Sequence, residues 1–136
     1  MRPNRWNKGT KHFKASSKSI NIPSEGIIHI NAITKNLNIC VTDMQGRVYD
    51  FISGGLMGQK NFKKKTATVA EEMTVVLINR VYNRGLRNAH IRVKGFYYNR
   101  SIVLRKIGSL SVQIMTLTDV TPLPYGGCLA KKARRK

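Results

Sequence analysis

Six carboxylates are available for acid–base or metal chemistry in these 136 residues: Glu25, Asp43, Asp50, Glu71, Glu72 and Asp119. A metal-dependent nuclease needs several carboxylates converging on one or two cations. The spacing here offers simpler roles. Asp43 and Asp50 flank a turn-like stretch, and Asp119 ends a strand-like run. Glu71 and Glu72 fall near the start of a helical pattern, where acids suit the helix dipole. The histidines, His12, His29 and His90, show no zinc spacing with Cys40 and Cys128. Solvated or hydrogen-bonded imidazoles are the ordinary account of them. Neither Ser53 nor Cys40 has an evident base in the sequence, so nucleophilic catalysis has no support. Two cysteines make no disulfide framework; they read as reduced thiols, Cys40 as a small core residue, in an intracellular, reducing compartment. The sequence therefore implies no enzyme, no metal and no cofactor.

One stretch invites comparison with a phosphate-binding loop: "GGLMGQKNFKKK", residues 54–65. The pattern G-x-x-x-x-G-K-[ST] fails, because Gln59 or Lys60 stands where the second glycine belongs. What survives is physical. Glycines let a backbone approach a phosphate closely, and Lys60, Lys63, Lys64 and Lys65 put charge beside a helix N-terminus. The competing account is a mobile basic loop in solvent.

Charge extends that question to the whole chain. Twenty-five Lys and Arg face six Asp and Glu, a net charge of +19. Such self-repulsion opposes a compact state unless a polyanion screens it. The longest aliphatic run, residues 75–78, is far short of the about 18 apolar residues a membrane span needs. Nucleic acid is the better partner, and no membrane is expected. The cations gather in an N-terminal arm, the 54–65 loop, the segment from Arg92 to Arg100, and the end of the chain, where Lys131, Lys132, Arg134, Arg135 and Lys136 fall within six residues. Trp6, Phe13, Phe62, Phe96, Tyr97, Tyr98 and Tyr125 lie within or beside these segments, as rings that stack on unpaired bases would. Covering the edge of the core is the alternative for Phe62 and Phe96.

The length fits one domain, able to bury roughly two-thirds of its unfolded surface. Residues 1–25 read as a basic arm with six cations and one acid. A targeting peptide is the other reading of that arm. Residues 27–34, 38–43 and 48–53 form short alternating runs separated by turns, an antiparallel meander. From 66 to 84 the period becomes helical, with Ala70, Met73, Leu77 and Val81 on one stripe. Thr68 with Glu71 could form a capping box, with Thr66 as the other cap, and Gly85 ends the helix. Residues 89–95 are a strand with Ala89, Ile91 and Val93 on one face and His90, Arg92 and Lys94 on the other. A short helix follows over about 101–110, with Val103, Ile107 and Leu110 inward, then a last strand over 111–120. The order β-β-β-α-β-α-β predicts a mixed sheet with helices packed on it, spanning 26–120, and a basic tail over 121–136.

In this order, "IHINAITKNLNICVTDMQGRV", the Gly-Gly loop ending in "KKKT", a long helix, "IRVKG" and "LTDVTPLPYGGC" with a basic end closely resemble the small-subunit ribosomal protein eleven family, in its bacterial and organellar form. The resemblance covers residues 26–136. It implies a ribonuclease H-like α/β fold without a nuclease site, and a place on the platform of the small subunit, against ribosomal RNA near the messenger exit region. Its implied protein neighbours are small-subunit families six, seven, eighteen and twenty-one. Gly54 and Gly55 match the family's Gly-Gly. Lys64, Lys65 and Thr66 match the end of its loop, Lys94 and Gly95 its Lys-Gly, and Arg100 the arginine before its second helix. Residues 118–122, Pro124, Gly127 and Cys128 match the tail motif, and Lys131, Lys132, Arg134 and Arg135 its basic end.

Two departures stand out. "FYYN", residues 96–99, replaces the family's Gly/Pro-rich run, so Tyr97 or Tyr98 is expected to touch RNA or a neighbouring protein there. Gly126 replaces an asparagine before the Gly-Cys. Pro122 and Pro124 end the last strand and hold an extended exit, since they lack donors and restrict φ. Eleven asparagines and many Ile and Lys suggest an AT-rich coding genome, which leans towards a mitochondrion, with plastid or bacterial cytoplasm as alternatives. The functional alternatives are a free-standing RNA-binding module or RNA chaperone, and a metal-dependent nuclease.

Overall fold

Alternation of aliphatic and polar side chains decides the sheet. The computed structural model describes residues 22–129 and 131–133; the arm expected over residues 1–21 and the basic end at Arg134, Arg135 and Lys136 lie outside them. The first three strands are β1 (Glu25–Ile33), β2 (Asn36–Thr42) and β3 (Val48–Ser53). Helix α1 (Ala67–Asn83), β4 (Asn88–Lys94), α2 (Asn99–Gly108) and β5 (Gln113–Asp119) follow. The five strands form one sheet in the order β3-β2-β1-β4-β5. The first three pair antiparallel, while β1, β4 and β5 are parallel. This is the mixed sheet with packed helices that the element order predicts.

Register stacks the aliphatic residues. Ile28 lies between Val41 and Ile91, and Ile30 between Ile39 and Val93. Both crossovers, β3 to β4 and β4 to β5, advance the same way along the sheet, so right-handed connections place both helices on one face. There α1 buries Val69, Ala70, Met73, Leu77, Ile78 and Val81, and α2 buries Ile102, Val103 and Ile107. These side chains and the aliphatic face of the strands form one core. Among the described residues, no helix lies over the opposite face. His29, Asn31, Asn38 and Cys40 are half-buried there, and Arg92 and Lys94 are exposed. Cys40 is thus not a core residue: its register partner is His29, on the polar side of the pleat.

Several boundaries differ from the expected ones, each for a local reason. Ile22 is buried, and its amide donates to the Arg84 carbonyl at 3.1 Å. Packing therefore begins before Glu25. The Thr68–Glu71 capping box does not form, because both residues lie inside α1; Thr66 is the N-cap, and its hydroxyl donates to the Lys63 carbonyl at 3.0 Å. No acid lies in the first turn, so Glu71 and Glu72 have no capping role. The other end follows expectation. Leu86 N–H donates to Val81 O and Gly85 N–H to Tyr82 O, both at 3.1 Å, with Gly85 at φ +117°, a Schellman closure. Helix α2 starts at Asn99, earlier than its apolar stripe suggests, and Leu110 lies beyond it. Residues Asn61–Lys65 form a 3-10 turn within the expected loop. Strand β5 does not complete the core: all its residues are exposed, because it is the edge strand beyond the reach of α2.

Candidate nucleic-acid interface

Strand direction decides where the cations meet. Strands β1, β3, β4 and β5 run the same way, so the chain leaves β3, β4 and β5 at one end of the sheet. The 54–65 loop, the 95–98 segment and the tail all start there, and both helices begin there. This carboxyl end is the usual place for a site on an open α/β sheet.

Short bonds hold its segments together. Asn99 is fully buried, and its Nδ2 donates to the Lys65 carbonyl at 2.9 Å, tying the start of α2 to the loop before α1. Its Oδ1 has no partner among the described residues. Gly54 N–H donates to Leu37 O at 3.4 Å, and a Cβ on Gly54 would meet Lys64 O at 2.9 Å. Gly95 sits at φ +97° with its Cα against the Ala32 backbone, its N–H bonded to Thr121 Oγ1 at 3.0 Å. Both glycines therefore admit the protein's own backbone, and their amide protons are used internally. Gly55 is exposed with open space around it.

The cations divide into two kinds. Lys60, Lys63 and Lys94 are exposed, and Lys64 and Lys65 are half-buried. None of the five takes a carboxylate among the described residues. Lys65 Nζ lies 4.9 Å from the centre of the exposed Phe62 ring. Arg100, by contrast, is engaged at home: its Nη1 donates to Gly95 O at 3.1 Å and to Asp119 Oδ2 at 3.0 Å. The Asp119 carboxyl is held below its usual range by bonds from Thr121 and then by Arg100. Arg92 stands away from this end, on the uncovered face between His29 and Thr118. Burial, and then the Arg92 charge, lower the pKa of His29, whose Nε2 lies 3.1 Å from Thr42 Oγ1.

"FYYN" splits between roles. Tyr97 packs against the core, Phe96 and Tyr98 face outward, and the Tyr97 and Tyr98 rings touch at 5.0 Å between centroids. Asn99 was not among the expected site residues, although an asparagine just before a helical run is a helix-start signal. Lys131 and Lys132 are exposed, as are Tyr125 at 95% and Leu129 at 94% of their surface. The described part of the tail is not packed on the domain.

Three other acids lie toward the opposite end of the sheet. Glu25 Oε1 meets His90 Nε2 at 2.8 Å, and Asp50 meets Arg84 at 3.4 Å. Asp43 Oδ1 accepts the Gln45 and Arg47 amides at 2.8 and 2.9 Å, closing the turn after β2. Among the described residues, no three His, Cys, Asp or Glu side chains gather where they could hold a metal ion. Among the described residues, no helix is long and apolar enough to cross a membrane.

Fold and charge together define a class: a small mixed α/β domain with lysines that lack carboxylate partners among the described residues gathered at the carboxyl end of its sheet. The sequence profile described as ribosomal protein S11 matches residues 26–135. The chain is 33% identical over 111 residues to the small ribosomal subunit protein uS11 of Treponema pallidum (strain Nichols), covering 82% of this chain and 88% of that one. It is 34% identical to uS11 of Borreliella burgdorferi (strain ZS7), covering 82% and 85%. With the small ribosomal subunit protein uS11c of Cuscuta gronovii it shares 36% identity over 112 residues, covering 82% and 81%. The chain belongs to the ribosomal protein S11 family.

Proposed function

We propose that this chain, by family a structural protein of the small ribosomal subunit and not an enzyme, binds small-subunit ribosomal RNA through the carboxyl end of its sheet. One observation carries the reading: Lys60, Lys63, Lys64, Lys65 and Lys94 converge at that end without carboxylate partners among the described residues. Phosphates are the ligand such a cluster attracts. Gly55 leaves room for a close approach, and Tyr98 and Phe96 offer faces for stacking. Gly54, Gly95 and Arg100 shape this surface from within. The tail, with Lys131 and Lys132, extends the contact, and Arg134, Arg135 and Lys136 belong to the same proposal. Arg92 would contact RNA only if RNA also reaches the uncovered face.

The finer placement follows the family resemblance: the platform, near the messenger exit region, beside families six, seven, eighteen and twenty-one. The mitochondrial reading rests on composition, whereas the relatives named above are of bacterial and plastid type. The test is sedimentation of the tagged chain through a high-salt sucrose gradient. Co-migration with small subunits supports the reading. A chain that stays at the top of the gradient yet binds RNA non-specifically would favour the free-standing module. RNA cleavage with magnesium, abolished by Asp43→Asn or Asp119→Asn, would overturn the non-enzymatic reading.

A further inference from the structure

Four of the six acids have partners within the domain. Glu25 faces His90, Asp50 faces Arg80 and Arg84, Asp119 faces Arg100, and Asp43 accepts backbone amides of its own turn. Glu71 and Glu72 are the exception. They are adjacent, exposed and beyond the first turn of α1, and neither meets a cation among the described residues. In a chain with 25 Lys and Arg, a carboxylate pair left without a cation calls for another account. The two side chains stand on the rim of a cleft of about 410 Å³. Half-buried Met57, Val75 and Val76 give this shallow, open groove an apolar floor, and Lys106 of α2 lines it as well.

We propose that this cleft docks a basic segment of a neighbouring protein, with an apolar side chain on the Met57–Val75–Val76 floor and a lysine or arginine against Glu71 and Glu72. Charge decides the occupant. A phosphate backbone is repelled by two carboxylates, and it has no apolar surface to match a valine and methionine floor. A cationic peptide satisfies both halves. The inference rests on the ribosomal reading above and adds a second face to it: lysines for RNA at the carboxyl end of the sheet, carboxylates for protein on the outer side of the helices.

The test places a photoreactive residue at position 75 of the full-length chain, assembles it into small subunits, and identifies the cross-linked product by mass spectrometry. The expected product is a protein peptide with Lys or Arg beside the attachment point. Glu71→Lys with Glu72→Lys, in the same photoreactive chain, should lower that cross-link about tenfold or more, since like charges now face each other. Both residues are exposed, so the doubly changed chain should still fold and enter subunits; an unchanged melting temperature checks this. Cross-links to RNA, or a protein cross-link indifferent to the charge reversal, would overturn the inference alone. A parent chain that never enters small subunits would overturn the ribosomal placement, and this inference with it.

Discussion

At the amino end of β1, Glu25 meets His90, Asp50 meets Arg84, and Asp43 closes its own turn. At the carboxyl end five lysines converge, and Asp119 there is committed to Arg100 and Thr121. The same sheet thus gives each acid a partner at one end, where Arg47, Arg87, Arg105 and Lys106 still lack a carboxylate among the described residues, and gathers five such lysines at the other. The net charge of +19 is thus felt at both ends, and the difference lies in how the acids are used and where the lysines cluster. Strand direction gathers the loop lysines, because every segment that follows a parallel strand emerges on the same side.

That contrast can be broken at four levels. The largest effect should come from the layer that joins the two ends. Ile91→Ala is expected to cost about 2–5 kcal/mol in denaturant unfolding, since Ile91 is buried in the core beside Ile28 of β1. Arg92→Ala, on the exposed face, should stay within about 0.5 kcal/mol. A larger loss for Arg92 would reverse the assigned faces. Next, Asn99→Ala should cost about 1 kcal/mol, the net worth of its bond to Lys65, softened because an unsatisfied Oδ1 is removed with it. Hydrogen exchange should speed up around residues 63–66 and not around 43–47; equal acceleration at both ends would erase the distinction.

A smaller effect concerns pH at the amino end. Burial works to raise the Asp43 carboxyl, but bonds from the Arg47 and Gln45 amides and the Tyr49 hydroxyl outweigh it and hold it below its usual range. A carboxyl lowered in the fold stabilises at pH values above its unfolded pKa, and that contribution is lost as pH falls through the folded value. Asp43→Asn should therefore be less stable at neutral pH and lose less on acidification. A parallel loss in both chains would remove Asp43 from the account. The smallest effect on folding should come from the cationic end. Lys63→Ala, Lys64→Ala and Lys65→Ala together should leave the melting temperature nearly unchanged, yet lower the salt slope of RNA binding by about 2–3. Deleting residues 130–136 should behave likewise. An unchanged slope would mean that phosphates bind elsewhere.

How much of this was legible in the sequence depends on the range of the interaction. The faces of β1 and β4 follow from alternation alone, and the end of α1 from a single glycine. Residues 26–136 also carry the family's motifs in order, which fixed the fold type. What stayed hidden were contacts between segments far apart in the chain. Nothing local says that Asn99 reaches Lys65, that Gly95 abuts Ala32, or that Arg100 is held by Asp119. Gly54 and Gly95 illustrate the limit. Their need for a small side chain was readable, but whether RNA or the protein's own backbone takes up the space was not. The exposure of β5 was missed for the same reason, since an apolar strand does not reveal that no helix covers it.

That last strand has a consequence of its own. β5 closes one side of the sheet with an edge that no other strand pairs among the described residues, and Ile114, Met115 and Leu117 are exposed along it. An open, apolar edge is a template for pairing with a second copy. Before assembly, mutual repulsion between highly cationic copies is what keeps such edges apart. The irregularity in its pairing with β4, where Met115 is skipped, adds a local twist that blunts the edge. High salt, the usual means of stripping nucleic acid from a basic protein, shortens the range of that repulsion to about 3 Å at 1 M. The purified chain should therefore be most prone to aggregate in the very buffer that cleans it, and a polyanion should act as its solubiliser.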